Sequence, residues 1–126
     1  MELNSDIKIF VYGTLKRGFS NHHFLMGSRF IGTGRTVEKY AMHTEGGIPF
    51  VVENEPVSYI YGELFSVDGA VLQSLDRLER HPTWYRRREI DICLDGGTNP
   101  PMKVWMYFIP HHSGKIITTG EFTERY

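Results

Sequence analysis

Ile7 to Tyr12 is a short run rich in Ile, Phe and Val that stops at Gly13, and it reads as a first strand. After the Gly13–Gly18 loop, Asn21 to Met26 has the length of one helical turn, closed by Gly27. Phe30 to Tyr40 is strand-like but interrupted by Gly32 and Gly34, which predicts a bend or bulge in a strongly coiled sheet. Gly46-Gly47-Ile48-Pro49 is a turn leading into a short apolar strand, Phe50 to Glu53. Val57 to Val67 is the longest apolar run, with large residues on both faces, and predicts a central strand covered on both sides.

The period then changes. Val71, Leu72, Leu75 and Leu78 recur at helical spacing behind Asp68, a good N-cap, and predict one amphipathic helix over about 69–79, ended by Pro82. Tyr85 to Leu94 alternates, placing Arg86, Arg88, Ile90, Ile92 and Leu94 on one face. The turn Asp95 to Pro101 joins it to a last strand, Met102 to Ile109, and the two read as a hairpin. Beyond Pro110 only Ile116, Ile117 and Phe122 are apolar, so the tail is expected to be ordered only by packing on the body. Strands joined mostly by short turns and one substantial helix predict an α+β domain on a coiled, antiparallel or mixed sheet. The pattern is not that of a doubly wound dinucleotide-binding fold.

The length of 126 residues fits one domain, 1–126, with a core over about 7–109 and a tail over 110–126. An apolar fraction of 40% without any run near twenty residues excludes a helical membrane span. A net charge of -1 offers no footprint for nucleic acid, and Arg86-Arg87-Arg88 would alternate faces on a strand. Met1 to Asp6 lacks a basic segment followed by an apolar one, so no secretory signal is read and a cytoplasmic location is expected. Cys93 is the single cysteine, which rules out an intrachain disulfide and reads as a half-buried strand thiol.

Candidate chemistry narrows quickly. Gly13 to Gly18 has the spacing of a phosphate loop, but Phe19-Ser20 follows where Lys and Ser/Thr are required. What remains is a strand end and a tight loop in which Gly13 lets another molecule approach and the N–H groups of Thr14 and Leu15 serve as anion donors, or an ordinary turn. His22-His23 and His111-His112 are adjacent pairs without zinc-site spacing, and no G-x-S-x-G elbow is present. Glu79 falls in the last helical turn, where the carbonyl end of the dipole disfavours a negative charge that Arg80 and His81 could offset. Partly buried, it would exchange protons near neutrality; exposed, it is a solvated glutamate at a helix end. Tyr85, shortly after Pro82, reads from residue type as a packing aromatic rather than a substrate contact.

The residues FVYGTLKRG, Phe10 to Gly18, with Asn21-His22 behind them, resemble the opening of the γ-glutamylcyclotransferase-like family, most closely its γ-glutamylamine branch. Gly34-Arg35-Thr36, Ile48-Pro49, Tyr61 to Asp68, Leu75-Asp76-Arg77-Leu78-Glu79, Pro82 and Tyr85-Arg86-Arg87 follow in the family's order, so the resemblance covers most of 7–109. It implies a small mixed β-barrel flanked by helices, with a pocket at the end of the first strand. The backbone of Tyr12, Gly13, Thr14 and Leu15 would hold a γ-glutamyl group and Glu79 would be the catalytic acid/base. Tyr85 would be a pocket tyrosine, and Ile48-Pro49 would lie on a loop closing over the ligand.

The implied reaction is intramolecular. The α-amine of a γ-glutamyl amide attacks its own γ-carbonyl, giving 5-oxoproline and a free amine. The nucleophile belongs to the substrate, so no cofactor or metal is expected, and the expected partner is a small γ-glutamyl molecule rather than nucleic acid or membrane. Asp76, three residues before Glu79, is expected to point elsewhere. The alternative is a non-catalytic module of the same fold that binds a small metabolite. His81, Trp84 and the tail after Pro110 match nothing specific in the family's pattern.

Overall fold

The computed structural model describes residues 6–124, and Met1 to Ser5, on which the absence of a leader was read, lie outside it. Five strands close into a barrel: β1 (Ile7–Val11), β2 (Arg29–Thr36), β5 (Tyr61–Val67), β6 (Arg86–Leu94) and β7 (Met102–Phe108), in the spatial order β1-β5-β2-β6-β7. Every pairing is antiparallel except the seam, where Ile9 of β1 meets Trp105 of β7 in parallel. The interruption expected near Gly32 is a register shift between Phe30 and Gly32 against β5, which helps a short strand turn the barrel's corner. A second, three-stranded sheet has the order β4-β3-β8, from β3 (Ala41–Glu45), β4 (Ile48–Val52) and β8 (Lys115–Ile116).

Helix α1 (Gly69–Leu78) starts as its sequence predicts, with the Asp68 carboxylate accepting from the Val71 N–H at 2.8 Å. It is the one α-helix among the described residues, accompanied by a single 3-10 turn over His22–Leu25, so the barrel carries less helix than the resemblance implies. Leu75 is fully buried against Ile9, Val11, Phe65 and Tyr107, with Val71, Leu72 and Leu78 partly covered, so the helix lies across the outside of the barrel wall. A second cluster containing Phe10, Met42, Leu64, Ile92, Val104, Met106 and Phe122 fills the interior. Each such side chain contributes on the order of 1.5–3 kcal/mol by leaving water.

Two expectations need correction. Val57 to Ile60 is not part of the central strand, which begins only at Tyr61: Ser58 pairs with Tyr40 in an isolated bridge and the Ile60 N–H goes to the Thr36 hydroxyl at 2.9 Å. Ile48 and Pro49 are the first residues of β4 rather than part of the turn, and β3, over Ala41 to Glu45, was not anticipated. The tail is ordered by packing on the body, in keeping with the expectation: β8 pairs with β3, Phe122 is fully buried and the Lys16 ammonium donates to the Phe122 carbonyl at 2.7 Å. No helix among the described residues is long and apolar enough to cross a membrane.

Candidate active site

Strand β1 ends at Val11, and the chain turns at once into Tyr12-Gly13-Thr14-Leu15. The turn is held by the Lys16 N–H on the Gly13 carbonyl at 3.1 Å. Asn21 braces the loop from outside, its N–H donating to the Thr14 carbonyl at 2.9 Å and its side-chain amide to the Thr14 hydroxyl at 2.9 Å. His22 Nδ1 lies 3.0 Å from the Leu15 carbonyl. Among the described residues no hydrogen bond is donated by the N–H groups of Thr14 and Leu15, two residues of the cavity lining, which leaves both as donors for a ligand. The close approach at Gly13 is by the protein itself: a Cβ there would stand 2.6 Å from Pro49 Cγ, so only glycine lets the β3–β4 hairpin settle against the loop.

Glu79 is the C-cap of α1. The next residue, Arg80, has φ +55, and the Arg80 and His81 N–H groups return to the Arg77 and Asp76 carbonyls at 3.3 and 2.9 Å. This is a Schellman ending, and it fixes the Glu79 side chain at the helix terminus. The chain after it crosses the cis His81–Pro82 bond and rises into Tyr85 and β6.

All eight residues named from the sequence, Tyr12, Gly13, Thr14, Leu15, Ile48, Pro49, Glu79 and Tyr85, line one cavity of about 620 Å³, a volume ordinary for a small-molecule site. Burial pushes the Glu79 carboxyl from its ordinary 4.5 up to about 7. Desolvation is the cause, rather than the helix dipole that drew attention to the residue in the sequence. Neither neighbour offsets it, since the Arg80 guanidinium lies over the Trp84 ring and His81 Nδ1 accepts from the Arg87 N–H. Among the described residues the carboxylate has no hydrogen bond and no ion pair.

Three phenols stand near enough to feel its charge. Burial, first of all, raises Tyr12, Tyr85 and Tyr107, and negative charge on Glu79 raises each further, so all three stay neutral. Their hydroxyls are committed elsewhere. Tyr12 donates to the Tyr107 carbonyl at 2.8 Å, Tyr85 to the Pro49 carbonyl at 3.0 Å, and Tyr107 to Asp76 at 2.7 Å.

Asp76 points elsewhere, as expected. It accepts from Arg87 at 2.9 and 3.1 Å as well as from Tyr107. Burial would raise its carboxyl, but those bonds outweigh burial and hold it below the usual range. Two carboxyls one helical turn apart are thereby separated into an ionised structural anchor and a proton-exchanging group.

Sequence reasoning did not name Tyr107, weighed Arg80 only as an offset to the Glu79 charge and Trp84 only as a departure from the family's pattern, and did not read the bracing role of Asn21. Tyr107 reaches the cavity only through the register of β7 in the closed barrel, which the alternation of one strand cannot reveal. Among the described residues no cluster of three or more His, Cys, Asp or Glu is placed to hold a metal ion. Of the histidine pairs, His22 is tied to Leu15 and His112 stacks on Phe50 at 4.0 Å.

Known proteins share this fold. Residues 9–124 match the family model described as gamma-glutamyl cyclotransferase, AIG2-like. The chain is 45% identical over 117 residues to a Methanocaldococcus jannaschii protein provisionally named a gamma-glutamylcyclotransferase, covering 92% of this chain and 95% of that one. It is 43% identical over 110 residues to gamma-glutamylaminecyclotransferase B of Danio rerio, covering 79% of this chain and 57% of that protein. The crystal structure of an AIG2-like protein from Mus musculus superposes with a TM-score of 0.77 at 28% identity, over 86% of this chain and 80% of that one. With a model that runs from the first strand into the buried tail and relatives that span nearly the whole chain, the protein belongs to the γ-glutamylcyclotransferase, AIG2-like family.

Proposed function

We propose that the protein converts a γ-glutamylamine into 5-oxoproline and the free amine, with Glu79 as the acid/base. The observation that carries this reading is an unpartnered carboxyl, raised to about 7 by burial, on the wall of the cavity that also holds the Thr14 and Leu15 N–H groups. A group poised near neutrality is suited both to take a proton and to return it.

The steps balance without any further reactant. Glu79 accepts a proton from the substrate's α-ammonium, and the freed amine attacks the γ-carbonyl carbon, forming the ring C–N bond. The amide C–N bond then breaks as Glu79 returns that proton to the departing nitrogen, and the ring nitrogen sheds its second proton to the released amine, which leaves as the ammonium. The loop N–H groups orient the γ-glutamyl group and stabilise the charge that develops on oxygen. Tyr85, bonded to Pro49, keeps the hairpin over the cavity so that the reacting atoms are shielded from water.

The test is 5-oxoproline release, followed by mass spectrometry, from a panel of γ-glutamylamines, γ-glutamyl amino acids and glutathione, with Glu79→Gln in parallel. Release from γ-glutamylamines by wild type, reduced at least about a hundredfold in the variant, is the expected result. Substantial release by folded Glu79→Gln would sink the assigned mechanism. Binding of 5-oxoproline without any turnover would favour the non-catalytic module.

A further inference from the structure

The loop donors and Glu79 account for the γ-glutamyl half of a substrate and leave open what meets the departing amine. Arg80 lines the cavity directly after Glu79, and its guanidinium lies over the exposed Trp84 ring, 5.2 Å from the centroid. Glu79 and Arg80 are the charged side chains of that lining, one of each sign. Among the described residues no carboxylate forms an ion pair with Arg80, whereas Arg17, Arg87 and Arg88 are paired with Glu63, Asp76 and Glu53. A guanidinium lying over an aromatic ring keeps in-plane N–H donors available, in the fork that matches a carboxylate.

The backbone adds a second observation. The position after the C-cap in a Schellman ending is one where glycine is at ease, and Arg80 occupies it at φ +55 under strain. The turn that follows is tied tightly to Arg80, whose carbonyl accepts from the Thr83 and Trp84 N–H groups, each at 2.9 Å. Trp84 is thereby held beside the arginine. The helix ending does not require this side chain, and the cyclisation itself uses only one carboxyl and neutral donors.

We propose that Arg80, held against Trp84 at the rim, is a specificity-determining residue that recognises a carboxylate on the departing amine. The preferred substrates are then γ-glutamyl amides whose amine part ends in an anionic group, and the far ammonium of a diamine is repelled. This rests on the cyclisation reading of the same cavity. With the Thr14 and Leu15 N–H groups assigned to the γ-glutamyl half, Arg80 is the cationic side chain of the lining left to meet the departing amine.

The experiment compares the γ-glutamyl amides of 4-aminobutyrate and of its neutral isostere 4-aminobutanamide, in wild type, Arg80→Gln and Arg80→Gly. Wild type is expected to favour the carboxylate by about tenfold in kcat/KM, the value of one charge-assisted hydrogen bond, and less in high salt. In both variants the ratio falls towards one. Arg80→Gly also relieves the backbone strain, so a lost preference there is not a folding defect; thermal unfolding of each variant checks this. A wild-type ratio near one, or a ratio unchanged in the variants, overturns the proposal. So does an equal loss on both amides, which would place Arg80 on the γ-glutamyl carboxylate. If wild type turns over neither amide, the cyclisation reading fails on its own, and calorimetric affinities of the same pair decide Arg80: a carboxylate preference lost in the variants supports it, and equal affinities overturn it.

Discussion

Ionising Glu79 costs the folded protein stability, because burial disfavours the charged form and no partner compensates it. The sign follows from linkage. Below pH 4.5 the group is neutral in both states and contributes no difference. Between 4.5 and about 7 the folded state keeps a proton that the unfolded chain has released, so stability falls as pH rises, and above about 7 the penalty is complete. At about 1.4 kcal/mol per pH unit, and allowing for partial exposure, it is on the order of 2–3 kcal/mol. Glu79→Gln is therefore expected to be about 2–3 kcal/mol more stable than wild type at about pH 8, with the difference vanishing near about pH 4, as measured by urea unfolding. Equal stability at the higher pH would show that the carboxyl is not desolvated. Part of this was legible in advance, since a glutamate in the last helical turn is visible in Leu75-Asp76-Arg77-Leu78-Glu79. Its burial was not, because Tyr12 and Tyr107, near enough to feel its charge, come from distant segments.

At the cavity the β3–β4 hairpin is held by the bond from the Tyr85 hydroxyl to the Pro49 carbonyl, supported by stacking of Tyr85 on Phe50 at 5.9 Å and 5°, and farther along β4 by the Ile109 N–H on the Val51 carbonyl at 2.9 Å. Tyr85→Phe keeps the stacking and removes the bond. About 1 kcal/mol of hairpin closure should be lost, raising KM about fivefold with a smaller change in kcat and little change in unfolding temperature. A fall in kcat at constant KM would instead make the hydroxyl part of the chemistry. The same sheet marks where the hydrophobic pattern failed. Ala41, Met42 and His43 are buried in succession, so β3 shows no alternation, and β8 is only Lys115–Ile116, too short to show a period. Val57 to Ile60 was over-read for the converse reason: its apolar side chains resemble a strand, but its backbone groups bond to Thr36 and Tyr40 outside the barrel ladder. Helix α1 and the β6–β7 hairpin, whose periods are unbroken, were legible almost to the residue.

At the scale of the whole molecule, the tail links the two sheets to the loop that holds the candidate ligand site. The Ile117 N–H reaches the Met42 carbonyl at 2.8 Å, and the Tyr61 N–H reaches the Gly120 carbonyl at 3.0 Å. Gly120 can make that approach only as glycine, since a Cβ would lie 1.8 Å from the Tyr59 carbonyl oxygen. Phe122 then enters the interior cluster with no exposure, against Phe19 at 5.7 Å, while its carbonyl receives the buried Lys16 ammonium. Lys16 follows Leu15 directly, so the tail anchors the far end of the Tyr12–Leu15 turn. Phe122→Ala should therefore do two things. The cavity it leaves costs about 3–5 kcal/mol of stability, a large share of what a domain of this size possesses. The Thr14 and Leu15 N–H groups should also lose their fixed aim, weakening 5-oxoproline binding several-fold at a temperature where the variant is still folded. Phe122→Leu, which refills most of the volume, should recover both properties together. Lost stability with undiminished 5-oxoproline binding in Phe122→Ala would show that the tail supports the barrel but not the loop, and would separate the folding of the protein from the shaping of its site.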